Sequence, residues 1–147
     1  MEWNFEYPAK VEQDEAGFYL VTFPDFPEAA TDTRQHEKIL AEAVDCLEEA
    51  VAGRIKRGDD LPMPSRTEPG MITASLPAIY AMKAALYLAA KEAKLSKADL
   101  AAKLGSRERE IERLLNPRQI SPAAELEAAL RAIGKSVRII IEDAAPL

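Results

Sequence analysis

Two sets of side chains in this chain could do chemistry, and they lie in different halves. Asp14, Asp25, Asp32, Asp59 and Asp60 are carboxylates of the kind that hold divalent metal ions in a metal-dependent nuclease. Their setting favours a plainer reading. Asp14 and Asp25 stand in turn segments, where aspartate is locally favoured, and Asp59-Asp60 opens a proline-containing stretch that reads as a linker. No pair of acids is spaced by sequence alone to hold two magnesium ions. His36 reads as a surface residue at a helix start and Cys46 as a small buried hydrophobe, not as a base and a nucleophile. We therefore expect no catalytic residue, no metal, no cofactor and no enzymatic activity.

The second set is cationic. Arg107, Arg109 and Arg113 alternate with Glu108, Glu110 and Glu112, and Lys97, Lys103 and Arg118 flank them. Alternating charge often marks only a solvated helix. Guanidinium groups, however, can reach guanine edges or phosphates, and glutamate can accept from cytosine N4. The flanking cations tip the reading toward DNA contact, and the residues assigned to it are Ser96, Lys97, Arg107, Glu108, Arg109, Arg113 and Arg118.

Charge is divided along the chain in the same way. The net charge of −6 over 147 residues is unpromising for a DNA binder, but residues 1–70 hold 16 acids and 7 bases (−9), whereas residues 71–147 hold 9 and 12 (+3). Opposite signs imply separate partners, and a compositional break near the middle implies two small cores. One cysteine excludes an internal disulfide, and a single histidine leaves too few ligands for a Cys/His zinc cluster. The opening Met-Glu-Trp-Asn is not a signal sequence, and no stretch reaches the roughly eighteen apolar residues of a membrane span, so the expected location is cytoplasmic.

The elements that must position these groups follow from periodicity. Phe5, Tyr7, Ala9 and Val11 alternate with polar residues as a half-buried strand does, and Pro8 suggests that this strand lies at a sheet edge. The Asp14–Gly17 turn leads into a returning strand, Phe18 to Phe23, which Pro24-Asp25-Phe26-Pro27 ends. A third strand is expected over Glu28–Asp32. A helix should then carry Leu40, Val44, Leu47, Val51 and Ile55 as its buried stripe, with Glu37, Lys38, Glu42, Asp45, Glu48 and Glu49 opposite. Asp32, Thr33 and Gln35 are alternative caps for it, and Gly58 is its stop. Residues 59–70 read as a linker and 71–76 as a fourth strand, placing the domain boundary between 59 and 77.

In the second half, Ala78 to Lys94 reads as an alanine-rich helix with Ile79, Met82, Leu86 and Ala90 inward. Ser96 to Gly105 then supplies an N-cap, two amphipathic turns and a terminating glycine, and a second short helix should run from Arg107 to Leu115. Two helices crossing at a tight turn need a small side chain at the contact and a residue tolerant of positive φ. Ala101 and Gly105 meet those needs, and Ile111 and Leu114 can seal against Leu100 and Leu104. This is a helix-turn-helix pattern. Asn116-Pro117 ends it; Ser121-Pro122 should cap a last helix with Leu126, Leu130 and Ile133 buried and Gly134 at its close. Val137 to Ile141 reads as a strand without a neighbour in sequence. An unpaired apolar edge is a liability, so we expect it to pair with its mate in a homodimer and set two recognition helices about one DNA turn apart.

Taken in order, these segments resemble the HicB-type antitoxins of type II toxin-antitoxin systems, in the variant with a C-terminal helix-turn-helix. The resemblance rests on Tyr7-Pro8-Ala9, the run Gly17 to Pro27, Ala41 to Ala50, Ser96 to Gly105, Arg113 to Arg118 and Leu126 to Ile141. It implies an α+β protein: a truncated ribonuclease-H-like sheet-plus-helix domain over 1–70, without nuclease activity, and an all-α helix-turn-helix domain over 78–147 with a terminal dimerisation strand. The implied functions are binding and occlusion of a small basic mRNA-cleaving toxin of the HicA type, and repression of the chain's own operon. Tyr19, Phe23, Asp25 and Phe26 are the assigned toxin-binding residues, because a rigid exposed loop supplies binding surface at low ordering cost. Tyr19, Phe23 and Phe26 have a competing role as core or loop anchors. Glu28, Gln35 and Ser106 depart from the family pattern, which commonly has glycine, threonine and an apolar residue there. A stand-alone helix-turn-helix regulator sensing a ligand or protein is the alternative of a different class.

Overall fold

A computed structural model of the chain describes residues 1–144; the last three positions of the expected 78–147 region lie outside the described residues. The protein is α+β, with a four-stranded antiparallel sheet and five α-helices among the described residues. It divides into two compact units, Met1–Gly53 with Pro62–Leu76, and Arg54–Leu61 with Pro77–Asp143.

The first unit holds β1 (Glu6–Gln13), β2 (Tyr19–Phe23), β3 (Phe26–Thr33), β4 (Ile72–Ser75) and most of α1 (Ile39–Arg57), whose last turn counts with the second unit. Strand order is β3-β2-β1-β4. Asp14 makes the first turn tight: its carboxylate accepts from the amides of Ala16 and Phe18, and Gly17 takes φ +88°. Phe5, Tyr7, Ala9, Val21, Phe23, Ala29 and Ala74 are buried along alternating positions, and the Tyr7 and Phe26 rings meet edge to face with centroids 5.0 Å apart. Such a pair contributes about 0.5–1.5 kcal/mol beyond its buried area.

Pro8 corrects the expected strand order. β1 lies inside the sheet, pairing with β4 over Glu6–Ala9 and with β2 over Lys10–Gln13. Leu76 N–H donates to the Phe5 carbonyl, so alternation puts the next ladder bonds toward β4 at Tyr7 and Ala9. Pro8 thus falls at a position that needs no donor toward β4, and pairing with β2 begins only at Lys10. The third strand is longer than expected and begins at Phe26, opposite Phe23 across an irregularity in the β2 register.

α1 ends as expected, with Gly58 at φ +74°, but it is rotated from the expected stripe. Ile39, Ala43, Leu47, Ala50, Val51 and Ala52 are buried, while Leu40 is exposed and Val44 and Ile55 are half-buried. The helix starts from a single 3-10 turn at His36–Lys38, and that turn lets Ile39 and the small residues Ala43 and Ala50 face inward. Thr33 accepts from the Gln35 amide, and Gln35 precedes the turn without a side-chain cap bond. Residues 59–71 contain no helix or strand, yet within the first unit the segment is tied down. Tyr7 Oη donates to the Pro62 carbonyl at 2.7 Å, and Asp25 accepts from both the amide and hydroxyl of Ser65 at 3.0 Å.

The second unit holds α2 (Ala78–Glu92), α3 (Lys97–Leu104), α4 (Glu108–Leu115) and α5 (Ala123–Ala132). α2 packs on α4 and α5, and α3 packs on α4. Leu86, Leu100, Ile111, Leu126 and Leu130 form its apolar centre, and all are essentially inaccessible. Tyr87 Oη and Lys91 Nζ donate to the carbonyls of Asp59 and Gly58, each at 2.6 Å. One expectation is corrected here. Ser121 does not cap α5; its side chain is buried and bonded elsewhere, and Pro122 holds the cap position without a side-chain bond. Val137–Ile141, expected to pair with a second copy, is in no ladder within the described residues of the single chain. Ile139, Ile140 and Ile141 are 78%, 70% and 89% exposed.

Candidate protein- and DNA-contacting surfaces

In the first unit the four aromatic-loop positions separate into surface and support. Phe26 is wholly buried and Phe23 is 2% exposed, so both brace the β2–β3 turn from below. Tyr19 is half-buried at the start of β2, its ring edge-on to His36 with centroids 5.6 Å apart. Beside it, the Arg34 guanidinium lies 4.5 Å over the Phe18 ring. Asp25 clips the turn to Ser65 and remains half-exposed. The outer side of α1 presents Glu37, Asp45 and Glu49 to solvent with Glu42 and Glu48 half-buried. Partial burial raises the Glu48 pKa, and repulsion by Asp45 and Glu49 adds to it.

The remaining aspartates are dispersed in ordinary roles. Asp14 caps its turn, Asp59 pairs with Arg57 at 2.8 Å, and Asp60 lies 3.6 Å from Lys91. Among the described residues no group of three His, Cys, Asp or Glu side chains is placed to hold a metal ion. Cys46 is half-buried, and desolvation pushes its thiol pKa up, away from the reactive thiolate. No helix among the described residues is long and apolar enough to cross a membrane.

The second unit brings most of the cationic set together around α3 and α4. Ser96 Oγ accepts from the Asp99 amide at 3.0 Å while the Asp99 carboxylate accepts from the Ser96 amide at 2.9 Å, a capping box that fixes where α3 begins. These hydrogen bonds hold the exposed Asp99 carboxyl below its ordinary pKa. α3 ends at Gly105, at φ +62° and ψ +34°, with Ser106 N–H bonded to the Ala101 carbonyl at 2.9 Å. A Cβ at Gly105 would touch nothing, so backbone conformation and not crowding calls for glycine there. Only Gly105, Ser106 and Arg107 separate α3 from α4, and Leu100, Ala101, Ile111 and Leu114 are buried on the facing sides.

On the outside, Lys97, Arg107, Glu108, Arg109, Glu112 and Arg118 are exposed. Lys97 approaches Glu112 at 3.9 Å, and the Arg118 amide bonds to the Asn116 side chain. Arg113 differs from these neighbours. Its guanidinium donates to Glu110 at 2.9 Å, Glu125 at 2.7 Å and Ser121 at 3.1 Å, leaving it partly covered and occupied within the chain.

Lys83 is a buried polar position that the sequence reading passed over. It is completely buried on α2 and donates to the Arg113 carbonyl and Ser121 Oγ, both at 2.8 Å. A signal was present: Lys83 lies four residues after Ile79 and three before Leu86, on the inward stripe of an apolar helix.

Comparison with known proteins adds a consistent pattern. Residues 6–85 match the family model described as HicB_like antitoxin of bacterial toxin-antitoxin system. The chain is 34% identical over 140 residues to Antitoxin HicB 2 of Photorhabdus laumondii, covering 95% of this chain and 99% of that one. Antitoxin HicB 1 of the same organism is 30% identical over 139 residues, covering 95% and 88%. Antitoxin HicB of Escherichia coli is 26% identical over 135 residues, covering 92% and 98%.

Proposed function

As the chain belongs to the HicB-like antitoxin family, we propose that it neutralises a small basic toxin through its first unit and represses its own operon through its second. The observation that carries this reading is similarity to antitoxins over nearly the full length of the chain, including the cationic helices as well as the acidic sheet unit. The charge division supports it: −9 in the first seventy residues suits a basic partner, and the positive remainder suits a phosphate backbone.

In this reading the sheet and α1 are a truncated ribonuclease-H-like module that binds and has no activity of its own. Its surface is built from Tyr19, the Asp25 turn and the acidic side of α1, with Phe23 and Phe26 holding that surface from within. The toxin is an mRNA-cleaving protein of the HicA type whose active site is covered on binding. α3 and α4 are a helix-turn-helix, with α4 as the reading helix. Arg107, Glu108 and Arg109 face base edges at its start, while Ser96, Lys97 and Arg118 meet phosphates. Val137 to Ile141 pairs with a second copy, so that a cytoplasmic homodimer grips a two-fold symmetric operator.

The test is co-expression with the product of the neighbouring gene, which this reading expects to be a short basic protein. The expected result is co-purification of the two and relief of the growth arrest that the neighbour causes alone. Failure of the pair to associate would favour the stand-alone regulator.

A further inference from the structure

A lysine with no accessible surface is unusual, because removing an ammonium from water is costly unless the fold supplies acceptors. The acceptors of Lys83 are specific. One is the Arg113 carbonyl in the last turn of α4, which also takes a longer bond of 3.2 Å from the Asn116 amide and lies at the negative end of the helix dipole. The other is Ser121 Oγ, which also accepts from Arg113 Nη1. Arg113 then reaches Glu110 on its own helix and Glu125 on α5. Three helices are thereby joined by one connected network, and no buried side-chain nitrogen or oxygen among the described residues lacks a partner.

Apolar contacts through Ile111, Leu114 and Leu115 set how deeply α4 sits but tolerate small rotations and slides. Hydrogen bonds are directional and do not. We propose that Lys83, acting through Ser121 and Arg113, is the positioning residue that fixes the rotation of α4, and that Arg113 serves this seat instead of reading DNA. The outward side chains Glu108, Arg109 and Glu112 are carried on the same rigid two-turn helix, so a shift at its buried carbonyl displaces all three together.

This inference rests on α4 being the DNA-reading helix, and it makes a distinction that simple destabilisation does not. Phosphate attraction depends on charge and survives a small helix rotation; base-edge contacts require geometry. Affinity of the full-length protein is measured for two duplexes of equal length, one covering the region upstream of its own gene and one of unrelated sequence. Lys83→Met keeps side-chain length, and Ser121→Ala removes only the hydroxyl that accepts from both Lys83 and the Arg113 guanidinium. In variants whose helical circular dichroism matches wild type, we expect the upstream duplex to be bound about tenfold more weakly, one lost contact's worth of discrimination, and the unrelated duplex within about twofold of wild type. Ser121→Ala keeps the test decisive where Lys83→Met does not fold. Equal losses on both duplexes, or no loss on either, overturn the proposal. Wild-type protein that shows no preference for the upstream duplex overturns the DNA-binding reading itself, and the two failures are told apart by that first measurement.

Discussion

Ser96 and Asp99 cap α3 reciprocally, each side chain accepting from the other's amide at 3.0 and 2.9 Å. Replacing Ser96 with alanine leaves the Asp99 amide without its acceptor, and chemical denaturation should show a loss of about 1 kcal/mol. Asp99 adds a pH dependence. Its folded pKa lies below the ordinary value, so its contribution is present above the unfolded pKa and disappears as pH falls through the folded one. Asp99→Asn should therefore reduce stability at neutral pH and lessen its decline on acidification. Parallel acid titration curves for the two proteins would contradict this.

Lys83 predicts a dependence at the alkaline end. Burial, and then repulsion by Arg113, lower its pKa to about 8, with Glu125 acting in the opposite direction. The ordinary lysine value is 10.5, so between about 8 and 10.5 the unfolded chain holds more protons than the folded one. Stability contributed at this site must rise with pH across that window and be constant below it. The difference in denaturation midpoint between wild type and Lys83→Met should move in favour of wild type from pH 7.5 to 10; a flat difference is the contrary result.

Lys94 adopts φ +56° after the end of α2, where Leu95 N–H closes back on the Ala90 carbonyl at 2.9 Å. It is the only non-glycine at positive φ among the described residues. The left-handed conformation costs an ordinary residue about 1–2 kcal/mol, and glycine's extra unfolded-state freedom offsets about 0.5–1 kcal/mol of the relief. Lys94→Gly should raise stability by about 0.5–1 kcal/mol. A lowered melting temperature would show that the lysine side chain contributes more than its backbone costs.

Ile139, Ile140 and Ile141 form a run of exposed apolar side chains with high strand propensity. If this run is the seam between two copies, Ile139→Asp places a charge in it and should shift the light-scattering mass from dimer toward monomer at micromolar concentration. An unaltered mass removes the segment from the interface.

Local features of the fold were legible because their causes are local. The Asp14 turn, the stop at Gly58, the Ser96 cap and the left-handed Gly105 all depend on atoms within about four residues. The inward alternation of Phe5, Tyr7 and Ala9 was legible for the same reason. The rotation of α1 was not. A preceding 3-10 turn and the preference of the core for Ala43 and Ala50 over Val44 changed which stripe is buried, and either stripe satisfies helical spacing. Pro8 misled because a strand can be interior to a sheet and still lack a neighbour at one residue.

The sequence by itself determined the two-part division of charge, the turn chemistry and the helix ends around the cationic segment. Which cations face solvent was decided only by tertiary structure. Lys83 meets partners 30 and 38 residues away, and Arg113 is drawn to Glu125 twelve residues on, distances in sequence at which spacing carries no signal. A buried ammonium is tolerated only where packing delivers acceptors to it, and only the assembled helices place the Arg113 carbonyl and Ser121 hydroxyl within 2.8 Å.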